Sequence, residues 1–164
     1  MPIPFVTAVN GAAAGVGCSL ALMGDLIVAG ESAYFMQAFR RIGLVPDGGS
    51  SYLLPRSIGR ARAMEMMLLG ERLPAKKAEE WGLVNRCVPD GDLMKETMGL
   101  AQKLADGPAS VAMMRRMIWD GLDAHFRDQL HLERETQRTA GRTADSREGV
   151  MAFLQKREAK FAGK

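Results

Sequence analysis

The stretch IPFVTAVNGAAAGVGCSLALMGDLIVA, residues 3–29, decides the fold. Its first seven residues, Ile3 to Val9, are a nearly unbroken apolar run rich in β-branched side chains, with Pro4 confined to the beginning. Such a run reads as a buried strand of a parallel sheet, because both faces of a parallel strand are covered. A glycine-rich turn, Asn10 to Gly17, follows it. Cys18 to Met23 then reads as a helix and Asp25 to Ala29 as a second strand. Strand, tight loop, helix, strand is the pattern of an α/β unit. Ala33 to Met36 reads as a third short strand.

Outward from there the chain becomes helical. After the turn Pro46-Asp47-Gly48-Gly49, the residues Met64, Met67 and Leu68 stand at i, i+3 and i+4, with Gly70 as the C-cap. Pro74 at a first-turn position opens another short helix that ends at Gly82, and Leu83 to Val88 reads as a brief extended piece. From Asp92 onward helices are punctuated at Gly107-Pro108, near Gly121 and near Gly141. The expected division is an α/β core over residues 1–90 and a helical region over 91–164. The strands are few and come only at the start. Two or three parallel strands leave faces and edges uncovered, so further strands are expected upstream, as if the sequence opened inside a domain.

Composition narrows the function classes. The 164 residues are 47% hydrophobic and 25% charged, ordinary for a globular chain large enough to bury a core. No run approaches the roughly 20 apolar residues that span a bilayer, and no basic-then-apolar leader opens the sequence. A cytoplasmic location without membrane attachment is the expectation. The net charge is +3, with the basic excess late, in Arg134, Arg138, Arg142, Arg147, Lys156 and Arg157. Glu133, Glu135, Asp145 and Glu148 interrupt that run, so it reads as a solvated helical face rather than a nucleic-acid surface. Its other use is to bind a phosphorylated small molecule. Cys18 and Cys87 lack any paired spacing and read as reduced and structural. His125 and His131 fall on different helix faces, so no metal site is expected.

Two constellations are able to carry chemistry. Small residues between a strand and a helix N-terminus let a ligand approach backbone N–H groups closely, and the helix dipole favours negative charge there. The loop Asn10–Gly17 therefore serves either close strand–helix packing or one half of an oxyanion hole for a thioester enolate. Pro46-Asp47-Gly48 is locally a turn with its own chemistry: proline presets φ, the aspartate bonds nearby backbone and glycine takes positive φ. The alternative is a lone carboxylate beside an apolar pocket of Phe35, Phe39, Leu44 and Val45, where desolvation suits a carboxylate to general-base work.

Several ordered motifs resemble the crotonase (enoyl-CoA hydratase/isomerase) family. They are PFVTAVNGAAAGVG (4–17), DLIVAG (25–30), GLVPDGG (43–49), LLPRSIG (53–59), AMEMMLLGERLPAKKA (63–78), WGLV (81–84) and REGVMAF (147–153). The resemblance covers essentially the whole chain. It implies a crotonase-like ββα spiral core, of which this is the C-terminal portion, followed by a helical trimerisation region. It also implies an acyl-CoA thioester as substrate, with no cofactor beyond the CoA that the substrate carries. By resemblance the backbone N–H of Val16 is one oxyanion donor, and the other belongs to a segment upstream of Met1. Ala14, Gly15 and Phe39 are implied in substrate binding. So are Phe153 and Lys156, at the adenine and phosphate end of a CoA, in the same or an adjacent subunit of a homotrimer or hexamer.

The departures from the family pattern point to a reaction. The two glutamates of the family's hydratases align with Ser19 and Phe39, and neither is an acid or base at neutral pH. Asp47 falls where isomerase branches place a single acid. The run LERETQRTAGR (132–142) and the sequence around Asp47 are similar to isomerases of phenylacetate breakdown, the epoxyphenylacetyl-CoA type. One carboxylate suffices for an isomerase, since it is base and acid at successive moments. The expectation is a CoA-thioester isomerase with Asp47 as proton shuttle. The alternatives are a hydratase or another crotonase reaction, and an inactive fragment that serves only in oligomerisation.

Overall fold

The computed structural model describes residues 3–164. Contacts divide the chain into two compact units, Phe5–Leu100 and one built on Ala101–Lys164. In chain order the first holds β1 (Val6–Val9), β2 (Ala12–Ala14), α1 (Val16–Ala21), β3 (Leu26–Gly30) and β4 (Tyr34–Met36). A 3₁₀ turn (Ala38–Ile42), α2 (Ser50–Leu69), β5 (Leu73–Pro74), α3 (Ala75–Glu80) and β6 (Arg86–Val88) follow, then α4 (Leu93–Ala105) begins.

One sheet has the order β1-β3-β6, all parallel, with Val6 opposite Leu26 and Val28 opposite Arg86. The second has the order β2-β4-β5, with β2 parallel and β5 antiparallel to β4. Among the described residues β1 and β2 each lie at an edge of their sheet.

The strand Ala12–Ala14 corrects the reading of residues 10–17 as a single turn. Three alanines carry little strand preference of their own, and pairing with Tyr34–Met36 overrides it. Pro74 is likewise shifted: it ends β5 and caps α3 from outside, with φ −60° and ψ 149°, instead of sitting in the helix's first turn.

A single apolar core lies inside this unit. Phe35 and Leu54 are fully buried in it, with Ile58, Leu73 and Leu83 close behind, while Val28 of β3 is fully buried outside that cluster. Each large side chain of this kind contributes about 1.5–3 kcal/mol by leaving water. α2 runs over the core and bends at Gly59, whose φ of 78° favours glycine, and it ends at Gly70 in the left-handed conformation.

The second unit holds α5 (Ser110–Gly121), α6 (Phe126–Ala140) and α7 (Ala144–Leu154). The breaks at Gly107-Pro108, Gly121 and Gly141 fall at helix ends as the sequence led one to expect. Neither α5 nor α6 buries a residue fully, and Met114, Ile118, Leu122, Phe126 and Leu130 stand exposed. What is buried here is Ala152 and, less expected, the charged Asp145, only 2% exposed. Its carboxylate accepts from the N–H groups of Ala109 (2.9 Å), Ala162 (2.7 Å) and Lys164 (3.0 Å). The clamp ties the last residues to the start of α7. No helix among the described residues is long and apolar enough to cross a membrane.

Candidate functional site

The glycine-rich loop ends in the first turn of α1. Gly15 has φ 56° and donates its N–H to Met36 O at 2.9 Å, which fixes the loop to β4. The N–H groups of Cys18 and Ser19 turn back onto Gly15 O at 3.0 and 3.2 Å. Those of Val16 and Gly17 come first in the helix, where no intrahelical acceptor exists. The ring of Phe39 lies close by, 3.9 Å from where a Cβ on Gly15 would stand. Gly15 and Phe39, both expected near a substrate, are therefore neighbours, while Ala14 closes β2 just before them.

Asp47 sits on the turn that leads into α2, and its side chain is exposed. Its main-chain oxygen is held three ways: by Ser19 Oγ at 2.8 Å, by Ser50 Oγ at 3.0 Å and by Ser50 N–H at 3.3 Å. Gly48, with φ 59°, lies so close to α1 that a Cβ there would stand 2.9 Å from Ser19 Cβ and 3.7 Å from Val16 Cγ2. The turn carrying Asp47 and the helix start carrying Val16 are thus packed on each other across Ser19.

The apolar pocket expected around Asp47 is corrected. Phe35 is fully buried in the core and Phe39 is buried, but Leu44 and Val45 are exposed, Val45 to 80%. After Gly43 in the left-handed conformation the chain leaves the 3₁₀ turn along the surface, so these four side chains do not converge. The 3₁₀ turn itself is tied to the end of α2: Arg40 Nη1 donates to Leu69 O at 3.0 Å and Arg41 Nε to Gly70 O at 3.1 Å.

Sequence reasoning missed the buried polar group behind Asp47. Cys18, Ser19, Gln37 and Ser50 are all fully buried and lie in contact. Burial pushes the Cys18 thiol up to about 11, so it is no nucleophile at neutral pH. Serines 19 and 50 flank the two motifs that were singled out, but only the folded chain brings them to one oxygen. Gln37 gave no signal at all. Among the described residues no group of three or more His, Cys, Asp or Glu is arranged to hold a metal ion.

Phe153 and Lys156 belong to the second unit, at the end of α7. Phe153 is 82% exposed. Lys156 has φ 52° and is, among the described residues, the one non-glycine with positive φ. Its N–H donates to Phe153 O at 3.2 Å and that of Arg157 to Ala152 O at 3.1 Å, a Schellman ending with lysine where glycine is usual. Just behind, Glu148 accepts from Arg157 Nη1 and Nη2 at 2.6 and 2.9 Å and from Lys160 N–H at 2.9 Å. The Arg157 guanidinium above all, then the Lys160 N–H, holds the Glu148 carboxyl down at about 2.

The family model described as enoyl-CoA hydratase/isomerase matches residues 1–164. The 1,2-epoxyphenylacetyl-CoA isomerase of Escherichia coli is 47% identical, the match covering 100% of this chain and 63% of that protein. A probable enoyl-CoA hydratase of Rhodobacter capsulatus is also 47% identical, over 99% of this chain and 64% of its own length. Among solved structures, a putative enoyl-CoA hydratase/isomerase from Mycobacterium abscessus superposes with a TM-score of 0.96 at 38% identity, covering 99% of this chain and 63% of that one. The chain thus spans about 63% of the length of the curated relatives it matches.

Proposed function

The chain belongs to the enoyl-CoA hydratase/isomerase family, with its crotonase-like α/β fold, and from that premise we propose that the protein is an acyl-CoA isomerase whose proton shuttle is Asp47. Relatives named for either reaction stand at the same 47% identity, so the choice rests on the side chains. The observation that carries it is the state of Ser19. At a position where hydration would call for a carboxylate, a fully buried hydroxyl donates to the Asp47 main chain at 2.8 Å. Phe39, at the other such position, is buried beside Gly15. Asp47 is the carboxylate carried by the turn whose main chain packs on α1.

In the proposed reaction the thioester oxygen of a 3-enoyl-CoA accepts a hydrogen bond from the Val16 N–H, one of two donors the chemistry requires. The Asp47 carboxylate takes a proton from C2, and the electron pair spreads over C2, C4 and the thioester oxygen as a dienolate. The same carboxyl returns the proton to C4, and the double bond comes to lie between C2 and C3. Aspartate is regenerated, and neither water nor a redox group enters. For an epoxide-derived substrate, as in the named activity of the Escherichia coli relative, the same oxyanion and shuttle would serve a ring rearrangement.

The helical unit is proposed to mediate self-association into a homotrimer or hexamer. A groove of about 450 Å³ between α5 and α6, lined by Met113, Met114, Met117 and Leu130, together with exposed Ile118 and Phe126, supports that reading. Phe153 and Lys156 are proposed to meet the adenine and phosphate end of the CoA.

Asp47→Asn tests the shuttle. Turnover of 3-hexenoyl-CoA and of 1,2-epoxyphenylacetyl-CoA should fall about 10²–10⁴-fold, the usual worth of a general base. Binding of the CoA esters should remain, and crotonyl-CoA should be hydrated poorly before and after the change. Retention of more than about a tenth of the isomerase rate sinks the assignment.

A further inference from the structure

We propose that Ser19 and Ser50 are positioning residues which clamp Asp47 by its main-chain oxygen and leave its carboxylate free to travel between two carbons. The inference rests on Asp47 being the shuttle. Among the described residues no hydrogen bond or ion pair holds the Asp47 carboxylate, whereas its carbonyl accepts from Ser19 Oγ at 2.8 Å and from Ser50 Oγ at 3.0 Å. Both hydroxyls are fully buried, so neither exchanges that acceptor for water. They come from different elements, α1 and the first turn of α2, and meet on one atom.

This division of labour suits a group that must be base and acid in turn. A donor on the carboxylate itself would stabilise the charged form and weaken it as a base, and it would tether the group to one place. A donor on the carbonyl does neither. It fixes the Cα while the two side-chain torsions stay available to carry a proton from C2 to C4.

The rest of the buried group holds the clamp. Ser50 Oγ lies 3.3 Å from Gln37 Oε1, but its single proton is already given to Asp47 O. Turning the Gln37 amide over resolves the conflict: its N–H then donates to Ser50 Oγ, and its oxygen faces the Cys18 thiol, the group now 3.5 Å from Nε2. Gly48 completes the fit, since a Cβ there would stand 2.9 Å from Ser19 Cβ and push the turn off α1.

Ser19→Ala and Ser50→Ala, assayed with 3-hexenoyl-CoA, should each lower kcat about 3- to 10-fold, as loss of one hydrogen bond implies, with KM unchanged. The double variant should lose more than the product of the two, because only then are both hydroxyl donors gone and the carbonyl left to the longer 3.3 Å bond from the main-chain N–H of Ser50. The pH profile of kcat should keep its shape, since nothing beside the carboxylate has changed, and Ser19→Thr should restore part of the rate. Thr97→Ala is the control: it removes a buried hydroxyl bonded to Leu93 O, remote in sequence from the site, and should lower Tm alone. Serine variants that behave like Thr97→Ala, with wild-type kcat and a lowered Tm, overturn the clamp. Should Ser19→Ala fail to fold, Ser50→Ala carries the same test on the same oxygen. If Asp47→Asn is inactive while both serine variants are fully active, only the clamp fails. If Asp47→Asn turns over normally, the shuttle fails and takes the clamp with it.

Discussion

The two units of this chain are organised by opposite means. Phe5–Leu100 is held by apolar packing, with Phe35, Leu54, Val28 and Cys18 fully buried and two small sheets around them. The helical unit keeps its large apolar side chains outside, and its most buried groups are Ala152 and the carboxylate of Asp145. The first unit encloses an apolar core of its own, although Val16, Leu20, Ile42, Leu44 and Val45 stand exposed on it. The helical unit encloses no such cluster of large apolar side chains among the described residues and is fastened internally by backbone N–H groups converging on charge. The difference teaches that a helical pattern in sequence says where an amphipathic face is, not whether the same chain covers it.

The largest effect expected from that contrast separates stability from association. Leu54→Ala removes a fully buried side chain from the first unit and should cost about 2–5 kcal/mol in chemical denaturation. Ile118→Ala removes a side chain that is mostly exposed in α5 and should change the chain's own stability by no more than about 0.5 kcal/mol. If the proposed assembly is real, Ile118→Ala should instead shift the oligomer to smaller mass by light scattering. Equal destabilisation by the two changes would dissolve the contrast.

Legibility in the sequence follows the same line. The run Val6–Val9, the turn at Gly15 and the strand Leu26–Gly30 were readable because β-branched residues and glycine act locally. Ala12–Ala14 was not, since its strand character comes from pairing with β4. Asp47 and Val16 were singled out separately by motif and resemblance, but that they meet across Ser19 depends on contacts between α1 and a residue 28 positions away. The pocket of Phe35, Phe39, Leu44 and Val45 was misread because apolar identity alone does not say which residues converge. In the helical unit the breaks were legible from glycine and proline. The Asp145 clamp was not, because its donors, Ala109, Ala162 and Lys164, are backbone groups that no side-chain pattern announces.

That clamp gives a second, smaller test. The N–H of Ala162 first, then that of Ala109, holds the Asp145 carboxyl below its ordinary range, and Glu148 is held at about 2, first by Arg157. A carboxylate with a lowered folded pKa contributes stability fully above its unfolded value, near 4. The contribution is lost as pH falls through the folded value. Amide exchange of Ala162 and Lys164 should therefore stay protected near neutrality and lose protection below about pH 4, while amides of the Leu54 core hold on to lower pH. Asp145→Asn should loosen the tail already at pH 7 and remove most of this pH dependence. Protection that fades equally in both units would mean the tail has no clamp of its own.

The smallest expected effect sets structure against function at one residue. Lys156 occupies the left-handed position of a Schellman ending, with φ 52°, where a side chain costs about 1 kcal/mol relative to glycine. The two bonds of that ending, to Phe153 O and Ala152 O, come from main-chain N–H groups and do not need the lysine side chain. Lys156→Gly should thus raise stability by up to about 1 kcal/mol, less whatever backbone entropy the unfolded chain gains. If the ammonium meets the phosphate end of a CoA, the same change should weaken binding of CoA esters several-fold at low salt, and the loss should shrink as salt is added. Lys156→Arg, which keeps both the charge and the strain, should leave affinity close to the starting value. A glycine variant that is more stable and binds CoA esters as well as before would leave the lysine with neither role. One that is less stable would mean that the turn at the end of α7 draws on the side chain after all.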